Sequence, residues 1–296
     1  MRACVIFNPV AKGDKARRFR DSLDTFAAGC ALKKTAAAGD ARRLATEAIQ
    51  EGFDLIIAAG GDGTLNEVLN GLGDAPDGFT RACLGVLPLG TVNVFAREFG
   101  IPLQPGRAWE VIRAGSETRV DLAWAEFSVP GRIERRYFGQ LAGAGLDARA
   151  IELVSWSLKK KIGPLAYIWA GLRALTGKLP PVTATDGSRS LTGELILIGN
   201  GRLYGGNYEI FSGAALRDGK LDVCAFPHAR WLTLARCALP LLWRGKLPEA
   251  VVQRFQAETL TLTCTSPAAL ELDGELVGHL PAKFSVQRNG LRVLAP

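Results

Sequence analysis

The stretch Asp54-Leu-Ile-Ile-Ala-Ala-Gly60-Gly61-Asp62-Gly63-Thr64-Leu65-Asn66-Glu67 decides the fold. Its apolar run shows no alternation, ends in glycines and continues into helix-forming sequence. That is the pattern of a strand buried on both faces, turning tightly into a helix. Glycine lets the backbone reach positive φ and lets an anion approach the amides closely. Thr64, with Glu67 three residues on, reads as a capping box that starts the helix at the turn. A helix N-terminus behind a glycine turn offers free N–H groups and the positive dipole end to a phosphate. Asp62 would repel that phosphate unless a divalent cation stood between them, so the stretch points to a metal–nucleotide complex. The same spacing also describes a strand–helix turn that binds nothing. It has neither a P-loop lysine nor the G-x-G-x-x-G fingerprint.

Working outward, Cys4–Phe7 and Leu84–Leu87 repeat the buried-strand pattern. Helices are expected over Lys15–Ala28, Ala41–Glu51, Leu65–Gly71 and Val92–Phe99. Strands alternating with helices predict a doubly wound α/β domain, over residues 1–122. The texture then changes. Strand signals at Tyr137–Leu141, Leu191–Ile198, Leu221–Phe226, Thr259–Cys264, Lys283–Gln287 and Leu291–Leu294 are punctuated by Asp186-Gly187, Asp218-Gly219 and Asp273-Gly274. Such a series predicts an antiparallel β-sandwich over residues 123–296, interrupted by helical insertions at Ile151–Thr176 and Trp231–Arg244. The length agrees: 296 residues exceed the roughly 250 at which one core usually stops growing.

Composition closes other doors. With 48% apolar and 22% charged residues the chain is globular. The cysteines at 4, 30, 83, 224, 237 and 264 form no C-x-x-C pair, and His228 and His279 have no metal-spaced companions. Free thiols in a reducing compartment are expected. The N-terminus enters a strand at once, so no secretory signal is expected, and no apolar run is long enough to span a bilayer. Net charge is +7, and it is concentrated. Between Arg149 and Lys178 stand Arg149, Lys159, Lys160, Lys161, Arg173 and Lys178 against one acid, Glu152, with Trp156, Tyr167 and Trp169 interleaved. Basic residues among aromatics suit an anionic membrane surface; an amphipathic cover helix with a solvated lysine cluster reads the same way. No nucleic-acid motif accompanies the patch, and no nucleic-acid partner is expected. Oligomeric state is not legible.

Gly60-Gly61-Asp62-Gly63-Thr64-Leu65-Asn66-Glu67 resembles the signature of the diacylglycerol kinase catalytic-domain family, which includes sphingosine and ceramide kinases. Other segments follow in family order along the whole chain. Asn8-Pro9 with Gly13 resembles the family's nucleotide loop, and Thr35 before Gly39-Asp40-Ala41 its threonine segment. Pro88-Leu-Gly90-Thr91-Val-Asn93 resembles the second glycine motif. Gly143-Ala-Gly145-Leu-Asp147-Ala148 resembles the opening of the second domain. Arg217-Asp218-Gly219-Lys220 and Leu272-Asp273-Gly274-Glu275 resemble its two acidic turns. One place departs: where the family often has Asp after Asn93, this chain has Val94, which removes one carboxylate from a metal-linked network.

The resemblance implies a lipid kinase using ATP and Mg²⁺, with its reaction in a cleft between the two domains. Phosphoryl transfer needs a neutralised γ-phosphate, an in-line acceptor hydroxyl and a base near it. By resemblance Asp62 is the metal ligand. Asn8, Pro9, Gly13, Thr35, Gly60, Gly61, Gly63, Thr64, Leu65, Asn66, Glu67, Gly90, Thr91 and Asn93 surround the nucleotide. Glu275 is the base, assisted by Asp273, although an Asp-Gly pair is first of all a hairpin turn. The loop Ala215–Lys220 is implied to hold a structural Mg²⁺ through Asp218 and the carbonyls of Ala215 and Lys220. The acceptor is a membrane lipid hydroxyl, most simply diacylglycerol. The enzyme is expected in the cytoplasm, peripherally on the inner face of the membrane. Two alternatives remain: an NAD kinase, whose family shares Gly-Gly-Asp-Gly before a helix, and a catalytically silent nucleotide- or lipid-binding regulator.

Overall fold

The computed structural model describes residues 1–11, 29–153, 173–174, 177, 179–244 and 247–296. Gly13, the expected helix over Lys15–Ala28 and most of the basic 149–178 stretch lie outside the described residues.

The parallel strands β1 (Ala3–Phe7), β2 (Ala31–Lys34), β3 (Leu55–Gly60) and β4 (Cys83–Pro88) lie in the order β2-β1-β3-β4. The chain steps out from β1 to β2 and back across β1 to β3, the winding that unalternated apolar runs imply. Every residue of β3 and β4 is buried. Helix α1 (Asp40–Gln50) buries Ala41, Leu44, Ala45, Ala48 and Ile49, spaced as one helical face. Helix α2 (Asp62–Asp74) follows the glycine turn and buries Leu65, Val68, Leu69 and Leu72. A single turn α3 (Gly78–Arg81) and helices α4 (Val94–Glu98) and α5 (Pro105–Ala114) complete this part.

The second half begins with β5 (Glu117–Val129), β6 (Arg132–Phe138), β7 (Leu141–Gly145) and α6 (Leu146–Leu153). Strands β8 (Val182–Thr185), β9 (Ser190–Gly193), β10 (Leu195–Gly199), β11 (Leu203–Tyr204), β12 (Tyr208–Glu209) and β13 (Leu221–Phe226) come next. Helix α7 (Trp231–Arg244) leads to β14 (Gln253–Ala257), β15 (Thr259–Cys264), β16 (Ala269–Leu272), β17 (Glu275–His279) and β18 (Ala282–Leu294). A second sheet runs β14-β13-β10-β7-β16-β17, all antiparallel. It faces the antiparallel part of the first sheet. Ala125, Phe127, Phe138 and Phe284 from one side meet Ile196, Ile198, Val223 and Leu270 from the other in a shared core. That is the expected sandwich.

Three strand segments of the second half are divided differently from the sequence reading. The segment Leu191–Ile198 is broken after Gly193, because β9 belongs to the first sheet and β10 to the second. The segment Tyr137–Leu141 straddles the end of β6 and the start of β7. The strands expected at Lys283–Gln287 and Leu291–Leu294 are one strand, β18, which bulges between them. Asp121, 1% exposed, fills that bulge. Its carboxylate accepts the Asn289 N–H at 2.9 Å and the Gly219 N–H at 2.6 Å. One end of β18 therefore pairs with β15 inside the sandwich, and the other reaches β4 at Val293↔Leu84. The two sets of strands form one continuous sheet.

All six cysteines are free, and burial pushes the thiols of Cys4 and Cys83 up to about 11. Such thiols are poor nucleophiles and poor ligands. Among the described residues no helix is long and apolar enough to cross a membrane.

Candidate functional site

The C-terminal ends of parallel strands are where open α/β sheets bind ligands, and most of the singled-out residues of the first half collect there. Asn8 follows β1, and Thr35 follows β2 with its N–H bonded to the Phe7 carbonyl at 2.9 Å. The turn Gly60–Gly63 ends β3, and Gly90 follows β4. Asn8 Nδ2 donates to Thr64 Oγ1 at 3.0 Å, tying the first loop to the first turn of α2. Leu65 is a core residue of α2, 5% exposed.

The two glycine motifs touch. A Cβ placed on Gly90 would stand 2.5 Å from the Gly61 Cα and 2.8 Å from Asn93 Oδ1. Backbone meets backbone there, and only glycine fits. Asn93, at φ 54, locks the second loop by bonding both polar groups of Gly90: Oδ1 accepts its N–H at 3.0 Å and Nδ2 donates to its carbonyl at 2.8 Å. Thr91 is exposed beside it and does not cap α4, whose N-cap is Asn93. We expect Gly90→Ala to force the two loops apart and cost several-fold or more in nucleotide affinity, as the movement of phosphate-facing amides would. Nucleotide titration by fluorescence would check this, with circular dichroism confirming the fold.

The capping-box expectation is corrected. The N-cap of α2 is Gly61, with no side-chain cap. The Glu67 carboxylate reaches instead across to α1, accepting the Gly39 N–H and the Ala41 N–H, each at 2.9 Å. It serves as the missing N-terminal acceptor of the neighbouring helix. Gly39, at φ 87, has no side chain of its own to do so.

Asn66 is also used differently from the expectation that it faces the phosphates. Its Nδ2 donates to Asp273 Oδ2 at 2.8 Å and to the Tyr137 carbonyl at 3.2 Å. One turn on, Asn70 pairs with both backbone groups of Tyr137, donating to the carbonyl and accepting the N–H, each at 2.9 Å. Its amide acts as an extra peptide unit at the edge of β6. Asn70, which the sequence reading did not single out, carries as many links to the second half as Asn66. Glu98 of α4 is another missed link: its carboxylate accepts the backbone N–H groups of Arg202 and Leu203 at 3.0 and 2.9 Å.

The three acids expected to do chemistry gather at the glycine turn in distinct states. Asp62 caps α4, with Oδ1 accepting the Phe95 N–H at 3.4 Å. Burial raises its pKa, and the nearby Asp273 charge adds to the rise. A carboxylate held against its own desolvation fits a divalent cation. Asp273 sits at φ 48 in the turn between β16 and β17. Its oxygens accept four donors: Gly139 N–H at 2.7 Å, Gln140 N–H at 3.0 Å, Leu141 N–H at 3.1 Å and Asn66 Nδ2. Burial still leaves its pKa above the usual carboxylate range. With both oxygens occupied, Asp273 is a clamp between the halves. Glu275, two residues on, is exposed. Its Oε1 lies 3.2 Å from where a Cβ on Gly63 would be, and so it overhangs the turn.

Among the described residues no three acidic, His or Cys side chains converge as a metal cage. A Mg²⁺ here would take one or two protein oxygens and complete its shell from phosphates and water, its ordinary habit. At the Ala215–Lys220 loop, the Ala215 carbonyl accepts the Arg217 and Asp218 N–H groups at 2.7 and 3.3 Å. Asp218 Oδ1 folds back on the Lys220 N–H at 2.9 Å. The loop is closed by these internal hydrogen bonds. His228 and His279 are exposed.

Comparison with known proteins gives this geometry relatives. Residues 2–125 match the diacylglycerol kinase catalytic domain, and residues 140–295 match the YegS C-terminal NAD kinase beta sandwich-like domain. The diacylglycerol kinase of Staphylococcus carnosus (strain TM300) is 30% identical, covering 100% of this chain and 95% of the relative. The diacylglycerol kinase of Staphylococcus aureus (strain MRSA252) is 31% identical, covering 100% and 92%. Among solved structures, a diacylglycerol kinase of Bacillus anthracis (strain Sterne) superposes with TM-score 0.72 at 21% identity, covering 100% of this chain and 97% of that one. Another chain from the same organism gives 0.79 at 23%, covering 100% and 95%. At such identities the superpositions establish the fold.

Proposed function

The chain belongs to the diacylglycerol kinase family and is a kinase, and from that premise we propose that it transfers the γ-phosphate of ATP to a hydroxyl of a membrane lipid, most simply diacylglycerol. The observation that carries this reading is Glu275 overhanging Gly63 at a glycine turn that also presents Asp62. A base, an amide-lined anion site and a metal-suited carboxylate share one cleft, which is what in-line phosphoryl transfer asks of a protein. Bound Mg²⁺ would neutralise phosphate charge, with Asp62 its protein ligand. The amides of Gly61 and Gly63 and the Thr64 hydroxyl surround the phosphates, while Asn8 and the Gly90–Asn93 loop hold the turn in shape. Glu275 takes the proton of the lipid hydroxyl. Val94 offers the Asp62 carboxylate a backbone N–H in place of a second acid.

The test is a panel of lipid acceptors, with NAD included, given ATP and Mg²⁺ and products resolved by mass. We expect a phosphorylated lipid. Phosphorylated NAD as the only product would favour the NAD kinase reading, and no product at all the silent regulator.

A lipid acceptor places the enzyme at the cytoplasmic face of an anionic membrane. Helix α7 supports that partner. Trp231 and Trp243 are 55% and 89% exposed on it, Arg230 and Arg236 are exposed beside them, and no acid occurs between Asp222 and Glu249. Cys237 on the same helix is part of a buried apolar cluster, and Leu241 packs against that cluster. Exposed Trp with adjacent Arg is the composition of an interfacial helix. We expect co-sedimentation with anionic vesicles that weakens with salt, and a Trp231→Ala/Trp243→Ala double variant that binds several-fold less. Salt-insensitive binding, or a variant that binds as wild type does, would remove this support.

A further inference from the structure

Behind the turn that presents Glu275 lies a second acidic pair that the transfer itself does not use. Glu271 of β16 is 0% exposed. Its Oε2 accepts the Gly274 N–H at 2.8 Å, and its Oε1 is buried with no donor to accept. Asp147 approaches from α6, and its Oδ1 accepts the Tyr204 hydroxyl at 2.7 Å. Gly143 lies between the two acids: a Cβ there would stand 2.6 Å from Asp147 Oδ2 and 2.8 Å from Glu271 Oε1. The missing Cβ is what lets these oxygens converge.

Two carboxylates cannot rest against each other unless one carries a proton. If Oε1 of Glu271 is O–H, the orphaned atom becomes a donor, Asp147 Oδ2 becomes its acceptor, and the bonds from Gly274 and Tyr204 keep their sense. Burial pushes both acids up. Glu271 rises well above the carboxylate range because the Asp147 charge adds to its burial, while bonds from Tyr204 and Glu271 favour an ionised Asp147. The groups facing Glu271 are Asp147 from α6 and Asp273 from the turn, with Tyr204 behind Asp147.

We propose that Glu271 is a positioning residue for phosphoryl transfer, a neutral acid that donates to Asp147 and, by accepting the Gly274 N–H, fixes the turn that holds Glu275 over Gly63. The catalytic half of this statement rests on the kinase reading above; the protonation half does not. Removing the acceptor with Glu271→Ala should lower kcat by about tenfold or more while the KM for ATP changes little, since Glu275 acts on the acceptor side. Glu271→Gln, which keeps an N–H for Asp147 and a carbonyl for Gly274, should restore kcat to within about threefold of wild type. The wild-type kcat should also fall as pH rises and Glu271 ionises, and the Gln variant should lack that limb.

Infrared spectroscopy of the full-length wild type at neutral pH should show a protonated carboxyl band that disappears in Glu271→Gln. This arm needs no substrate. If no lipid accepts phosphate, the kinase reading fails and the band still decides the proton. A Gln variant as impaired as the Ala variant, or a wild type without the band, would overturn the proposal.

Discussion

Replacing Glu275 by Gln should leave the protein as stable as wild type and lower kcat by about 10²–10⁴-fold, the range a positioned general base contributes. The stability half follows from exposure and shape: Glu275 is at the surface, and Gln keeps its volume and one carbonyl acceptor. The activity half follows from its place over Gly63, where a lipid hydroxyl would meet the γ-phosphate. The amide cannot take the proton. The KM for ATP should change little, because the nucleotide is held by other groups. Steady-state kinetics on vesicles, with thermal unfolding run in parallel, would check both halves. Unchanged kcat in a folded variant would remove Glu275 as base.

Asp273→Asn should do the reverse, acting first on stability. One carboxylate oxygen accepts Gln140 and Leu141 N–H groups, and the other accepts Gly139 N–H and Asn66 Nδ2. An amide nitrogen in either place faces two donors with a donor. Losing two bonds to a charged acceptor and burying their partners unpaired costs about 3–5 kcal/mol. The expected readout is a large fall in the denaturant midpoint, with kcat falling too because Glu275 is carried by the same turn. Together the two variants separate a group that acts from a group that holds.

The same logic gives a pH signature for the acid pair behind the turn. The folded pKa of Glu271 is raised, so the folded state holds this proton more tightly than the unfolded chain does. The stability this contributes is full below the ordinary carboxylate pKa and is lost as pH rises toward the folded value. Glu271→Gln, which never ionises, should gain stability relative to wild type as pH rises through that window, and the gain should vanish in acid.

What could be read in the sequence was local. The run before Gly60 is strand β3, and β13, β15 and α7 have the limits that their apolar patterns and turn dipeptides set. The site was legible as a list because its glycines and acids form motifs. Its wiring was not. Asp273 is clamped by amides more than 130 positions away, and a backbone N–H leaves no mark on residue identity. Glu67 looked like a cap for its own helix because three-residue spacing is the only context a sequence displays; the uncapped start of α1 beside it was a better customer for the carboxylate. Asn70 reads in sequence as any polar helix residue; its role comes from β6, which lies against it.

The bulged strand β18 has a consequence for synthesis. Leu291, Val293 and Leu294 are core residues of the α/β half, and the Arg292 guanidinium pairs with Glu117 at 2.7 Å. When the ribosome has made the first 125 residues, β4 still has an open edge and that core still lacks three of its side chains. The gap closes only after residues 291–294 emerge. The last step in folding the first half therefore waits for a segment made after the second half, and it is governed by long-range strand pairing of the slow kind. A fragment ending near residue 125 should expose a sticky edge and aggregate.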